Sequence, residues 1–274
     1  MSHAQQRCRV CYRVAEHCSC RWLCAAAAIG AAWALLGEPL HAAGPMEGVE
    51  LVVEAARHSV NDLAPYVVQV QPIGVAGSAS GLEATGPTSG VFVPRYGCVV
   101  TSTYRVAGAA GLVVFCDDGS RSSATLAAVD HNRQIAVLRL TTPPTEPPGP
   151  LPTIESRDDL RVGQTIVAVG RVYRSDEPNM AVGVLSAKRR LFGRAIQTDA
   201  AVSPANYGGP AIDLAGRVVG VLTPLTPEAG GAASGEGWYD SGIGFAVPWP
   251  AIAERLPKLL SGEDIHRGLL GLSL

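Results

Sequence analysis

The spacing of apolar positions changes at about residue 65. Before it, Val49, Val52, Val53, Ala56 and Val60 fall on one face at helical spacing, and Asn61-Asp62 with Pro65 stop the pattern. After it, the apolar residues come in short runs rich in Val and Ile, parted by Gly, Asp and Pro. Runs at 66–70, 90–94, 98–102, 112–116, 124–129 and 135–140 predict six strands. Six antiparallel strands of this length close into a small barrel, which removes exposed edges. The segment 141–152 holds Pro143, Pro144, Pro147, Pro148, Pro150 and Pro152, cannot lie inside a sheet, and predicts a stiff connection. Apolar runs resume over 161–170, 180–189, 196–202, 210–212, 217–222 and 241–248. The stretch 251–260 predicts a closing helix.

Composition fits this pattern. Hydrophobic residues make up 47% of the 274 and charged residues 17%, enough for a buried core and against disorder. The 31 glycines and 20 prolines suit many short strands joined by turns. The net charge of −2 gives no overall nucleic-acid footprint.

The first 43 residues stand apart. Arg7, Arg9, Arg13 and Arg21 precede an apolar run over 22–36, and Leu40-His41-Ala42-Ala43 offers small residues for cleavage. This is the order of a secretory signal, cleaved or retained as an anchor, and it predicts an exported main domain. Cys8, Cys11, Cys18 and Cys20 are soft donors, but the gap between the pairs is shorter than in a zinc ribbon. No metal site and no cofactor is assigned. The expected organisation is a basic Cys-rich region (1–21), signal or anchor (22–43), linker helix (44–64), first barrel lobe (65–140), Pro-rich connection (141–152), second lobe with closing helix (153–262) and a tail (263–274).

Several segments resemble the HtrA (Deg) family of trypsin-like serine proteases. Thr88-Ser89-Gly90-Val91-Phe92-Val93, Ser241-Gly242-Ile243-Gly244-Phe245-Ala246-Val247-Pro248 and Ser203-Pro204-Ala205-Asn206-Tyr207-Gly208-Gly209-Pro210 carry the likeness, in family order. The resemblance implies an all-β fold: a trypsin-like double six-stranded antiparallel β-barrel with a short N-terminal helix and a C-terminal helix. Arg267-Gly268-Leu269-Leu270-Gly271-Leu272 resembles the point where a PDZ domain begins, and none is expected in this sequence.

The same likeness places the family's catalytic positions on unsuitable residues. Its histidine falls on Tyr104, its aspartate on Gln134 in Asp130-His131-Asn132-Arg133-Gln134, and its serine on Tyr207. The glycine two residues before the serine falls on Ala205, so the oxyanion loop Ala205-Asn206-Tyr207-Gly208-Gly209 is degenerate. Acyl transfer needs a nucleophile, a base and a group that orients the base. A phenol titrating near pH 10 is a poor base at neutral pH, and Gln does not stabilise an imidazolium as a carboxylate does. Displaced groups remain to be considered: His131 and Asp130 near the old aspartate, and the hydroxyls of Ser89, Ser102 and Ser203. Asp199 is expected to be structural.

The expectation is therefore an inactive protease homologue in the cell envelope that binds a peptide or protein partner, regulates it or scaffolds an assembly. The alternatives are a residual serine endopeptidase and a purely structural envelope protein. Membrane contact is expected only through an uncleaved N-terminus, and a homo-oligomer is an option. Two further expectations are geometric. Gly208-Gly209 and the strand before Pro248 would offer backbone edges to an extended peptide, unless Tyr104 and Tyr207 meet and plug the cleft. A hairpin turning at 104–110 would set Cys98 opposite Cys116, as a disulfide or as two buried thiols.

Overall fold

The computed structural model describes residues 45–75, 86–144, 148–172, 177–225 and 242–266. The signal-like segment and Cys8, Cys11, Cys18 and Cys20 lie outside them. The chain divides into two compact units, Met1–Val49 and Glu50–Leu274, and the fold below is that of the second.

Helix α1 (Pro45–Leu63) bears out the expected stripe in part: Ala56 and Val60 are buried, joined by Leu63, while Val52 and Val53 are half-buried and Val49 is exposed. Ser59 Oγ donates to Leu214 O at 2.6 Å, fixing this helix to a turn of the second barrel. The helix therefore packs on the domain rather than acting as a free spacer. No helix among the described residues is long and apolar enough to cross a membrane.

Twelve strands follow among the described residues. The first six are β1 (Val67–Val75), β2 (Thr88–Val93), β3 (Cys98–Ser102), β4 (Ala109–Phe115), β5 (Arg121–Asp130) and β6 (Ile135–Leu140). They close in the order β1-β2-β3-β6-β5-β4, with every neighbouring pair antiparallel. The second six are β7 (Thr165–Gly170), β8 (Asn179–Arg190), β9 (Ala195–Thr198), β10 (Pro210–Ile212), β11 (Val218–Leu222) and β12 (Gly244–Pro248), closing as β10-β11-β12-β9-β8-β7. Helix α2 (Trp249–Leu260) ends the fold. This is the trypsin-like double barrel.

The near-continuous apolar runs have a physical cause. Val68, Val70, Val99 and Leu138 fill the first barrel, and Ile166, Ala168, Val219 and Leu222 fill the second. Their neighbours Val67, Val91, Val100, Val167, Val218 and Val247 point outward into a third core shared with α1 and α2. Strands at this seam are buried on both faces, so they lose the alternation of a half-exposed strand. On β5, away from the seam, exposed and buried positions alternate at the start.

The seam also holds a buried cation that the sequence reading missed. Arg171 is fully buried just after β7. Its Nε donates to Val67 O at 2.7 Å and its Nη2 to Ala64 O at 3.0 Å, while Asp117 supplies the counter-charge. A buried guanidinium needs such a set of acceptors.

The expected 104–110 hairpin and the Cys98–Cys116 pairing do not form. In the closed barrel β3 lies between β2 and β6, and β4 between β1 and β5, so the two strands are not neighbours. Both thiols are free and buried, Cys98 in the seam and Cys116 inside the first barrel. Constant-sum register holds only for adjacent strands, and barrel closure takes precedence over sequence proximity here. The expected peptide edges are used as well: β12 is bonded to both β11 and β9, Gly208 N–H donates to Leu222 O, and Gly209 N–H to Asn206 O.

Burial pushes the Cys98 thiol from 9.0 up to about 12, partly offset by Arg139. Above pH 9 the unfolded chain releases this proton while the folded one keeps it, so stability falls as pH rises. Urea melts should show a loss from pH 9 towards 12 that is smaller in Cys98→Ala, compared at each pH with that variant's own neutral-pH stability. An identical pH slope in the two proteins would contradict the assignment.

Candidate active site

The turn 203–209 between β9 and β10 is built by its own short bonds. Asn206 N–H donates to Ser203 O at 2.9 Å, and Ser203 Oγ to Asn206 Oδ1 at 2.9 Å. The turn is then fastened to the first barrel. Tyr207 O accepts from Thr88 Oγ at 2.6 Å and from Ser89 N–H at 3.1 Å, and Ala205 O accepts from Ser89 Oγ at 2.8 Å. Ser89 Oγ also accepts from Arg171 N–H at 2.9 Å.

Gly208 makes this approach possible, and Gly209 lets the turn pack closely on β7 of its own barrel. Gly208 has φ +83°, and a Cβ there would lie 2.1 Å from Thr101 Oγ1 and 2.2 Å from Ser89 O. A Cβ on Gly209 would lie 2.1 Å from Val169 O. Ala205 is accommodated outside the left-handed region, where the non-glycine residues are Arg105, Gln134, Leu191 and Phe192.

The other two positions arrive on neighbouring turns. Tyr104 follows β3 and Gln134 precedes β6, and Thr103 N–H donates to Gln134 O at 3.0 Å. Gln134 has φ +55°. That conformation favours Asn and Asp over other non-glycine residues, because their short polar side chains bond locally. Across the cleft, the Tyr104 and Tyr207 rings meet edge to face, with centroids 5.4 Å apart and planes at 80°. Tyr207 is buried, and Arg105 lies over the Tyr104 ring at 5.3 Å. The structure thus brings Tyr104, Gln134 and Tyr207 into one locality.

Residues 88–221 match the model of the trypsin-like peptidase domain. The chain is 33% identical over 192 residues to a probable periplasmic serine endoprotease DegP-like of Chlamydia trachomatis, covering 68% of this chain and 36% of the relative. It is 30% identical over 221 residues to the chloroplastic Protease Do-like 1 of Arabidopsis thaliana, covering 76% and 48%. This is an HtrA/Deg-like, trypsin-fold domain. A DegP-like protein of Pseudomonas fulva is 29% identical over 209 residues, covering 74% of this chain and 40% of the relative. The chain spans about a third to a half of the length of these curated relatives.

In this HtrA-like domain the displaced candidates are engaged elsewhere. Ser102 Oγ accepts from Tyr104 N–H at 3.2 Å, the Ser89 hydroxyl donates across the lobes to Ala205 O, and the Ser203 hydroxyl donates to Asn206 Oδ1 within its own turn. Asp130 is buried, accepts from the Asn132 and Arg133 amides, and pairs with Arg133 and Arg255. His131 stacks on His266 and sits 3.8 Å from Asp264. Asp199 Oδ1 caps Val184 N–H at 2.6 Å. Sequence reading missed Thr88 as an inter-lobe clamp. Its available signal was two hydroxyls, Thr88 and Ser89, opening an otherwise apolar strand.

Gly208→Ala should destabilise by about 3 kcal/mol, combining left-handed strain with overpacking against backbone. Gly119→Ala, at φ +76° with nothing within 4 Å, isolates the strain alone and should cost about 1 kcal/mol. Thermal or urea melts of the pair check this, and equal losses would contradict the inter-lobe packing.

Proposed function

We propose that this HtrA-like domain is a catalytically silent protease homologue. In this reading it is exported and engages a protein partner in an extracytoplasmic compartment through its surface, as a regulator or scaffold. The observation that carries the proposal is the Tyr104–Tyr207 ring contact, 5.4 Å between centroids, where base and nucleophile would meet. Attack on a carbonyl needs a hydroxyl within hydrogen-bond reach of a base, with room for the tetrahedral carbon. Two packed phenol rings supply neither the base nor the room.

Gln134 holds the orienting position without a charge, so an imidazolium on the neighbouring turn would lack its stabilising carboxylate. The occupied edges of β12 and of Gly208-Gly209 favour recognition across the surface over insertion of an extended peptide into the cleft. The exported location is supported by the N-terminal signal pattern and by the periplasmic designation of the DegP-like relatives.

The test is direct. Purified protein should show no labelling by a fluorophosphonate probe and no casein hydrolysis above a blank, and Tyr207→Ala should leave both unchanged. Labelling that a single Ser→Ala change abolishes would overturn the proposal in favour of a residual serine hydrolase.

A further inference from the structure

A second cluster lies on the outer turn between β5 and β6 and is unrelated to acyl transfer. His131 occupies this turn, and Asp264 and His266 lie just beyond α2. One donor atom from each falls within 4.8 Å of the other two. The two backbones are already joined: Ile265 N–H donates to Val129 O and His131 N–H to Ile265 O, both at 2.9 Å, forming a parallel bridge beside Asp130. Asp264 Oδ1 accepts from Val129 N–H at 2.8 Å, which orients the carboxylate and leaves Oδ2 3.8 Å from His131 Nε2. The imidazole rings are stacked face to face, with centroids 4.5 Å apart and planes 12° from parallel. Of the cations around this turn, Arg133 and Arg255 are paired with Asp130, and Arg194 donates to Asn132 O.

We propose that His131, Asp264 and His266 form a binding site for a divalent transition-metal ion of the zinc class. Two imidazoles and one carboxylate make a borderline donor set that suits Zn²⁺ better than Ca²⁺ or Mg²⁺. Tetrahedral bonds of about 2.05 Å place donor atoms about 3.3 Å apart. Both rings are exposed, so each can rotate out of the stack, which tilts the ring planes until their in-plane lone pairs meet on one ion. The hydrogen bond from Val129 N–H to Asp264 is the outer partner such a ligand needs. Three protein ligands leave a fourth position for water. The bound ion would pin residues 264–266 to the turn that leads to Gln134, independently of whether the cleft is silent.

The experiment is isothermal titration of Zn²⁺ into the full chain carrying Ser at positions 8, 11, 18, 20 and 24 in place of Cys, which removes the competing N-terminal thiols. One ion per chain is expected, with affinity lowered at least tenfold by His131→Ala, by His266→Ala and by Asp264→Asn. Asp264→Asn keeps an oxygen for Val129 N–H, so loss of binding there separates ligation from folding. Amide exchange at Ile265 should slow on adding Zn²⁺. No binding by the parent, or equal affinity in the parent and all three variants, would overturn the proposal.

Discussion

The Tyr207 carbonyl is the point on which the two barrels are registered. It accepts from both Thr88 Oγ and Ser89 N–H, so one oxygen of the second lobe is held by two donors at the start of β2. Each such bond contributes about 1 kcal/mol net, and leaving a buried partner unmade costs about 1–3 kcal/mol. Gly208 belongs to the same constraint, since a side chain there would push the turn off the first lobe, while one on Gly209 would meet Val169 O of the second barrel. Arg171 continues it, with its amide on Ser89 Oγ and its guanidinium on Val67 O, Ala64 O and Asp117. The turn that carries Tyr207 is thus part of the seam, and its backbone is set by lobe packing rather than by the residue it displays.

This separates scaffold from chemistry. The seam depends on carbonyls, hydroxyls and missing Cβ atoms, and none of these requires a serine at position 207 or a histidine at position 104. Those side chains could change to tyrosines while the double barrel stayed closed. The Tyr104 and Tyr207 rings make an edge-to-face contact of the kind that contributes about 0.5–1.5 kcal/mol beyond area burial. Gln134 shows the complementary case. Its left-handed backbone suits Asp or Asn, yet the turn keeps that shape around a glutamine because Asp130 holds the Asn132 and Arg133 amides and Gln134 O is bonded to Thr103.

Much of this was legible in the sequence, for stated reasons. Strand positions followed from short Val-rich runs and turn residues, and the double barrel followed from the resemblance of Thr88–Val93 and of the 203–210 and 241–248 segments. The meeting of Tyr104 and Tyr207 was foreseen as an alternative, and their ring contact decided it. Strand neighbours were less legible. Cys98 and Cys116 looked like a hairpin pair because they flank a turn, but closure puts two other strands between theirs. The buried Arg171 gave no local signal, because its partners lie 54 to 107 residues away. The His131, Asp264 and His266 cluster was hidden for the same reason: a parallel bridge far along the chain creates it.

If the scaffold is intact and side chains alone remove the chemistry, restoring those side chains restores hydrolysis. Casein hydrolysis by the combined variant Tyr104→His, Gln134→Asp, Ala205→Gly and Tyr207→Ser, measured beside the unaltered chain, is the decisive comparison. Hydrolysis above the blank is expected in the variant and none in the unaltered chain. A folded variant as inert as its parent, or a parent that already cleaves casein, would contradict it.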